Sequence, residues 1–189
     1  MARGEPLAST AILLKNEELF LGLARLAKHH DLRPRFLISS ILPQSFTREF
    51  EEVFPIIHPE IYYSLYSLNE DFRKRWVPQA MPVIEALGKL YRWQRYSKKI
   101  IRIHHALIAG ENDSDEDAKA VGHAITTCRL RADFTLVRYN PPNESSRESE
   151  WYERYAQTLK KWSPNETRIK VLNRVGYDVK ASCGMFVGP

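Results

Sequence analysis

Six short clusters carry the residue types able to do chemistry in this 189-residue sequence. They are Gly4-Glu5-Pro6-Leu7, Ser39-Ser40, Ser64-Leu65-Tyr66-Ser67-Leu68-Asn69-Glu70, Asn112-Asp113-Ser114, Asn140-Pro141 and Ala181-Ser182-Cys183-Gly184. Cys183 has the most specific chemistry, because a thiolate is a strong nucleophile at neutral pH. Its plain alternative is a small buried side chain between small neighbours. Gly184 after it permits close approach of a ligand. Taken alone, Gly4 and Pro6 read as a chain turn that breaks a strand, Ser64 as a strand serine, and Asn140 before Pro141 as a turn residue. The two cysteines, Cys128 and Cys183, make no disulfide framework, and no C-x-x-C or His/Cys cluster completes a metal site. Two thiolates are also too few for a cubane iron–sulfur cluster, which takes three or four.

The elements that must position these clusters alternate along the chain. Leu19, Phe20, Leu23, Leu26 and Ala27 follow helical spacing and predict an amphipathic helix over 16–29, with Asn16 as N-cap. The apolar run Phe36-Leu37-Ile38 predicts a buried strand. A short helix over 47–54, a strand over 61–65, a helix over 81–96 and a strand over 100–107 follow. Ser114 with Asp117 three residues on has the form of a capping box opening the next helix. A strand over 132–138, a helix over 149–162 and a strand over 168–172 complete the series. Strand–helix alternation predicts an α/β fold of parallel strands joined by right-handed crossovers, either an open sheet or an arc of a barrel. In both, ligand-binding residues gather at the C-terminal ends of strands.

Length and composition bound the rest. The chain suits a single domain over 1–189. A net charge of +5 fits a polyanionic partner without requiring one. No apolar run reaches the roughly 20 residues of a membrane span, and no signal-type segment opens the sequence, so a reducing cytoplasm is expected. Basic and aromatic residues interleave over 91–99, which could grip phosphates and stack bases; the alternative is a helix with an aromatic core face and a solvated basic one.

In order along the chain, the six clusters resemble those of the RNA adenine C2-methyltransferase family of radical S-adenosylmethionine (SAM) enzymes. That family's pattern is M-G-M-G-E-P-L, a serine-rich segment, S-L-H-A-x-N-D, G-V-N-D-S, an N-P after an apolar strand, and a terminal A-A-C-G-Q. The resemblance covers nearly the whole chain. It implies a radical-SAM-type partial (β/α) barrel, with Gly4, Glu5, Ser39, Ser64, Leu65, Tyr66 and Asn140 at positions that contact SAM. A Gly-Glu turn would offer a carbonyl and a carboxylate to the SAM ammonium. Cys183 would accept a methyl group from one SAM and pass it to C2 of an adenine in ribosomal or transfer RNA, after a second SAM supplies a radical. C2 is electrophilic and cannot attack SAM directly, so a sulfur must carry the methyl group.

The sequence also departs from the family. Tyr66 stands where the family has histidine, and the serine-rich segment matches loosely around Leu37 and Ser39. The C-x-x-x-C-x-x-C motif that holds the family's [4Fe-4S] cluster has no counterpart, so the ligands of that cluster are absent from this chain. The expectation is therefore an incomplete barrel lacking its first strand, inactive alone, with a free sheet edge that a lost segment or a complementary chain carrying the cluster-binding half would cover. The competing expectation is a non-catalytic, degenerate relative that binds RNA or SAM.

Overall fold

The apolar runs that punctuate the sequence become the five strands of one parallel sheet in a computed structural model that describes residues 5–141 and 146–173. The strands are β1 (Leu37–Ser40), β2 (Glu60–Ser64), β3 (Ile101–Ala106), β4 (Ala132–Val137) and β5 (Ile169–Val171). The helices are α1 (Thr10–His29), α2 (Phe50–Val53), α3 (Glu70–Trp76), α4 (Val83–Ser97), α5 (Asp115–Thr127) and α6 (Tyr152–Trp162), preceded by a 3-10 turn at Pro6–Ala8.

Strand order in the sheet is strand order in the chain, and every pairing is parallel. Right-handed crossovers that always step the same way put their helices on one face. This is the winding of a barrel arc; a doubly wound sheet reverses direction and carries helices on both faces. The strand register makes the two faces explicit. One row, Ser40, Tyr63, Ile103, Phe134 and Ile169, looks into the helices. There Tyr63, Ile103 and Phe134 are buried with Leu87, Leu90 and Trp93 of α4 and Leu159 of α6. The alternate residues, such as Tyr62, Arg102 and His104, are polar and only half-buried.

Three elements differ from the sequence expectation. Helix α1 begins at Thr10, not 16: Leu13 N–H donates to Ser9 O at 3.0 Å, and no breaker lies between Pro6 and Thr10. Asn16 is therefore no cap but a buried residue inside the helix. The stripe Leu19, Leu23 and Leu26 is exposed, and it is the neighbouring face that packs, with Phe20 stacked on Phe36 at 4.6 Å and on Phe54 at 6.0 Å. Helix α2 is a single turn with a Glu49–Glu52 capping box. Helix α3 was not foreseen; Asn69 caps it, accepting from Asp71 N and Phe72 N at 2.9 and 3.0 Å. The Ser114–Asp117 box, by contrast, forms as its sequence implies.

Helices α5 and α6 approach closely because Gly122 faces the end of α6. A Cβ there would meet Trp162 Cβ at 2.8 Å and Trp162 C at 2.9 Å. Thr126 Oγ1 ties the same place, donating within reach of both Gly122 O (2.9 Å) and Trp162 O (3.1 Å). Gly122→Ala should therefore destabilise by about 1–3 kcal/mol through overpacking, despite the better helix propensity of alanine. Chemical denaturation reads this directly; an unchanged or raised midpoint would show that the two helices separate without cost.

Candidate functional site

Where parallel strands splay into loops, their last main-chain groups lose ladder partners and need others. Here one polar side chain serves the end of each of the first four strands. The Glu5 carboxylate accepts from Leu7 N (3.1 Å), Ser40 Oγ (2.6 Å) and Ile41 N (2.9 Å), using both oxygens at the end of β1. The buried Arg73 guanidinium donates to Leu65 O (2.8 Å), Ser67 O (3.3 Å) and Met81 O (3.0 Å), shaping the loop after β2. Asn112, fully buried, accepts from Ile108 N (2.7 Å) and donates to Tyr66 O (2.6 Å) and Ala106 O (2.9 Å), joining the ends of β2 and β3. The Tyr152 hydroxyl donates to Val137 O (2.9 Å) and accepts from Leu107 N (3.3 Å) and Tyr139 N (3.1 Å), joining β3 to β4.

The loop after β2 is also strained. Tyr66 has φ +60°, and Ser67 N–H donates to Leu65 O at 2.8 Å, closing a γ-turn of the rare positive-φ kind. For a bulky aromatic residue this conformation costs on the order of 1–3 kcal/mol and persists only where the surroundings enforce it. Arg73 on one side and Asn112 on the other supply that enforcement. Backbone strain of this type collects at ligand sites.

Two polar rows cross the open face of the sheet below these loops. Ser39, Tyr62, Arg102 and Asp133 form the lower row; Ser64, His104, Thr135 and Lys170 form the upper one, nearer the strand ends. Arg102 and Asp133 are ion-paired, so the lower row is nearly neutral. The Tyr62 ring meets His104 edge-on at 4.7 Å. Burial pulls the His104 pKa below the ordinary histidine value, which keeps its imidazole neutral at pH 7. A neutral imidazole offers one donor and one acceptor between a serine and a threonine hydroxyl.

The structure brings several of the sequence-predicted residues to this end of the sheet and leaves others aside. Ser39 and Ser64 lie on the open face. Leu65 buries its side chain, so it offers the site only its main chain, whose N–H donates to His104 O at 3.2 Å. Tyr66 forms the strained turn, and Asn140 follows β4, half-buried. Glu5 stands at the end of β1 with its carboxylate engaged by Ser40 and Ile41. Gly4 and Cys183 lie outside the described residues. Sequence reasoning missed Tyr62, Arg102, His104 and Thr135, although the alternation in Ile101-Arg102-Ile103-His104 carries the signal.

Within the basic and aromatic run over 91–99 only Trp93 and Gln94 are buried, while Arg92, Arg95 and Lys98 are exposed. Trp93 is fully buried against Phe50 and Phe54, Arg92 pairs with Glu49 at 2.8 Å, and the Tyr96 hydroxyl donates to Pro55 O at 3.1 Å. Among the described residues no group of three or more His, Cys, Asp or Glu side chains could hold a metal ion. Cys128 is half-buried, and burial pushes its thiol up, away from reactivity. No helix among the described residues is long and apolar enough to cross a membrane.

Asn112→Ala leaves Ile108 N and two carbonyls unpaired, and should cost about 3 kcal/mol of stability, since each orphaned buried group costs roughly 1–3 kcal/mol. A loss under one third of that in equilibrium unfolding would mean that water replaces the side chain. Behind the open face, His105 turns into the helices, its Nε2 3.1 Å from the Tyr155 hydroxyl, and burial pushes its pKa down to about 3. A histidine depressed in the folded state takes up its proton first in the unfolded chain. Its stabilisation is therefore complete above the unfolded pKa of about 6.5 and falls from there toward pH 3, by at most about 1.4 kcal/mol per pH unit. Unfolding curves between pH 7.5 and about 5 should show this slope, and His105→Phe should flatten it.

No family model matches the chain. Among curated proteins it is 23% identical over 189 residues to the probable dual-specificity RNA methyltransferase RlmN of Natranaerobius thermophilus, covering 97% of this chain and 52% of that protein. It is 25% identical over 205 residues to the ribosomal RNA large subunit methyltransferase Cfr of Bacillus velezensis, covering 100% of this chain and 54% of the relative. The chain thus spans about half the length of the curated relatives it matches. Among solved structures, a radical SAM methyltransferase from Sphaerobacter thermophilus superposes with a TM-score of 0.71 at 23% identity, over 90% of this chain and 51% of the other. A domain of a pyruvate-formate lyase-activating enzyme from Bacteroides vulgatus superposes at 0.63 and 14% identity, over 92% of this chain and 97% of the domain. The parallel α/β fold is shared with both. By sequence along nearly its whole length, and with a fold to match, the relatives of this chain are the radical SAM methyltransferases of RNA.

Proposed function

We propose that this chain is the SAM-holding and methyl-carrying part of an RNA methyltransferase that delivers a methyl group to C2 of an adenine in ribosomal or transfer RNA, in the cytoplasm. The observation that carries the proposal is the open, mostly neutral polar face ending in a laced and strained rim, with Ser39, Ser64, Tyr66 and Asn140 at or above it. The comparisons add RNA methyltransferases as relatives.

SAM, when bound, supplies an electrophilic methyl on a sulfonium. The residues of this chain would hold it by the groups its zwitterion needs. The main-chain groups at Gly4 and Glu5 would take the ammonium, and Ser64, with His104 beside it, would take hydroxyl or carboxylate oxygens. Asn140 would read the sugar or a base edge. Cys183 would then attack the methyl carbon: the new S–C bond forms as the sulfonium C–S bond breaks, the thiolate pair becoming the bond. The later delivery to C2 needs an iron–sulfur cluster in this family. The described residues do not fit one, and the two cysteines of the sequence are too few, so the chain alone should not carry out that delivery. That misfit equally favours a second reading, a non-catalytic module that keeps SAM or RNA binding.

Calorimetric titration of the purified chain with SAM tests the site. Ser64→Ala and His104→Ala should each weaken binding about tenfold, the worth of one hydrogen bond of about 1.4 kcal/mol. Binding indifferent to both changes would overturn the assignment of the open face. Peptide mass spectrometry on protein recovered from cells separates the two readings: a methyl group on Cys183, absent in Cys183→Ser, supports the carrier, and an unmodified Cys183 in SAM-binding protein supports the module.

A further inference from the structure

SAM and the thioether left once its methyl group has gone, S-adenosylhomocysteine, carry the same ammonium, carboxylate, ribose and base. They differ by one methyl group and one positive charge at sulfur. Hydrogen bonds from Ser64, His104 and Asn140 meet parts that both molecules share, so only a group that senses charge beside the sulfur separates them. Three carboxylates of this part of the chain are already engaged: Glu5 by Leu7, Ser40 and Ile41, Asp133 by Arg102, and Glu60 by Arg35 at 2.7 Å. The face of an aromatic ring is the other device that attracts a cation, and Tyr62 supplies a phenol ring in the two polar rows.

Tyr62 lies on β2, between Ser39 of β1 and Arg102 of β3 in the strand register. It starts in the lower row, yet its ring rises to 4.7 Å from the His104 ring of the upper row, the two planes 78° apart, and that edge contact fixes its position. The charges about it cancel in pairs, Arg102 with Asp133 and Arg35 with Glu60, and burial keeps His104 neutral, so these groups do not repel a cation. With its ammonium at the end of β1 and its base beside Asn140 after β4, SAM would cross the strands. Its carbon chain from ammonium to sulfur reaches about one strand spacing, roughly 4.8 Å, which sets the sulfonium over β2. We propose, resting on the reading of the open face as the SAM site, that the Tyr62 ring receives the sulfonium and so favours SAM over S-adenosylhomocysteine. The contact also gives the site a way to let go, because the attraction ends when methyl transfer removes the charge from sulfur.

Calorimetric titration of the full chain with SAM and with S-adenosylhomocysteine tests this. The unaltered chain should bind SAM about two- to thirtyfold tighter, the range expected of a cation over a ring face. Tyr62→Leu should bring that ratio near one by weakening SAM alone, and Tyr62→Phe should keep it. Fluorinated phenylalanines placed at the same position drain the negative face of the ring with little change of shape. The ratio should fall stepwise with each fluorine, a response that packing alone does not give. Where Tyr62→Leu disturbs the sheet, the fluorinated series decides. A chain that binds neither ligand overturns the SAM site itself and this contact with it. A chain that binds S-adenosylhomocysteine at least as tightly as SAM, or whose preference survives Tyr62→Leu or ignores fluorination, overturns the contact and leaves the site standing.

Discussion

The main-chain groups that outrun the sheet at its C-terminal edge impose the constraint on which this structure depends. Inside the ladder each amide and carbonyl is paired by its neighbour strand. One residue past the last rung, the same groups cost free energy unless something else meets them. Glu5, Arg73, Asn112 and Tyr152 do so, and each is a side chain that reaches from a loop or helix to a strand end other than its own, or from a helix back to the loop before it. Because their partners, apart from the Ser40 hydroxyl on Glu5, are backbone atoms, these four fix the shape of the rim while leaving most of the side chains it displays unspecified. A Tyr66 at positive φ is tolerable only inside such a frame.

One-directional winding has a second effect. With the helices confined to one face, burial there is decided by apolar packing around Trp93, Phe134 and Leu136, while the opposite face stays free to carry polar residues in register. The two faces separate stability from chemistry on the same strands. His104 and His105 are adjacent in sequence and live in different worlds: one lies half-buried in a polar row, the other is sealed against Tyr155.

Much of this was legible in the sequence, for identifiable reasons. Strand–helix alternation gave the parallel α/β fold because crossover geometry leaves few alternatives, and the Ser114–Asp117 box was local enough to read directly. The order of the polar clusters pointed to the strand ends. The choice between an open sheet and a barrel arc was not legible, because strand order is a long-range property. Helix α1 misled by its periodicity: the leucine stripe looks like a core face, and only the fold shows that nothing described covers it. His104 and Thr135 were missed because a polar residue facing an open sheet is indistinguishable, in one sequence, from a polar residue facing solvent. Arg73 gave no signal, since a buried arginine that bonds only carbonyls looks like any surface arginine until its helix is placed.

The four rim contacts also differ in how far along the chain they reach. Arg73 bonds groups six to eight residues away, whereas Glu5 spans 36 residues, Tyr152 spans 45 and Asn112 reaches Tyr66 across 46. Closing long loops costs more entropy than closing short ones, and the cost is met before the contact exists. The β2 turn can therefore take shape early and locally, while the rim as a whole closes only when strands from distant parts of the chain are already side by side. The shape of the most chemically specified part of the molecule is therefore tied to the pairing of the whole sheet.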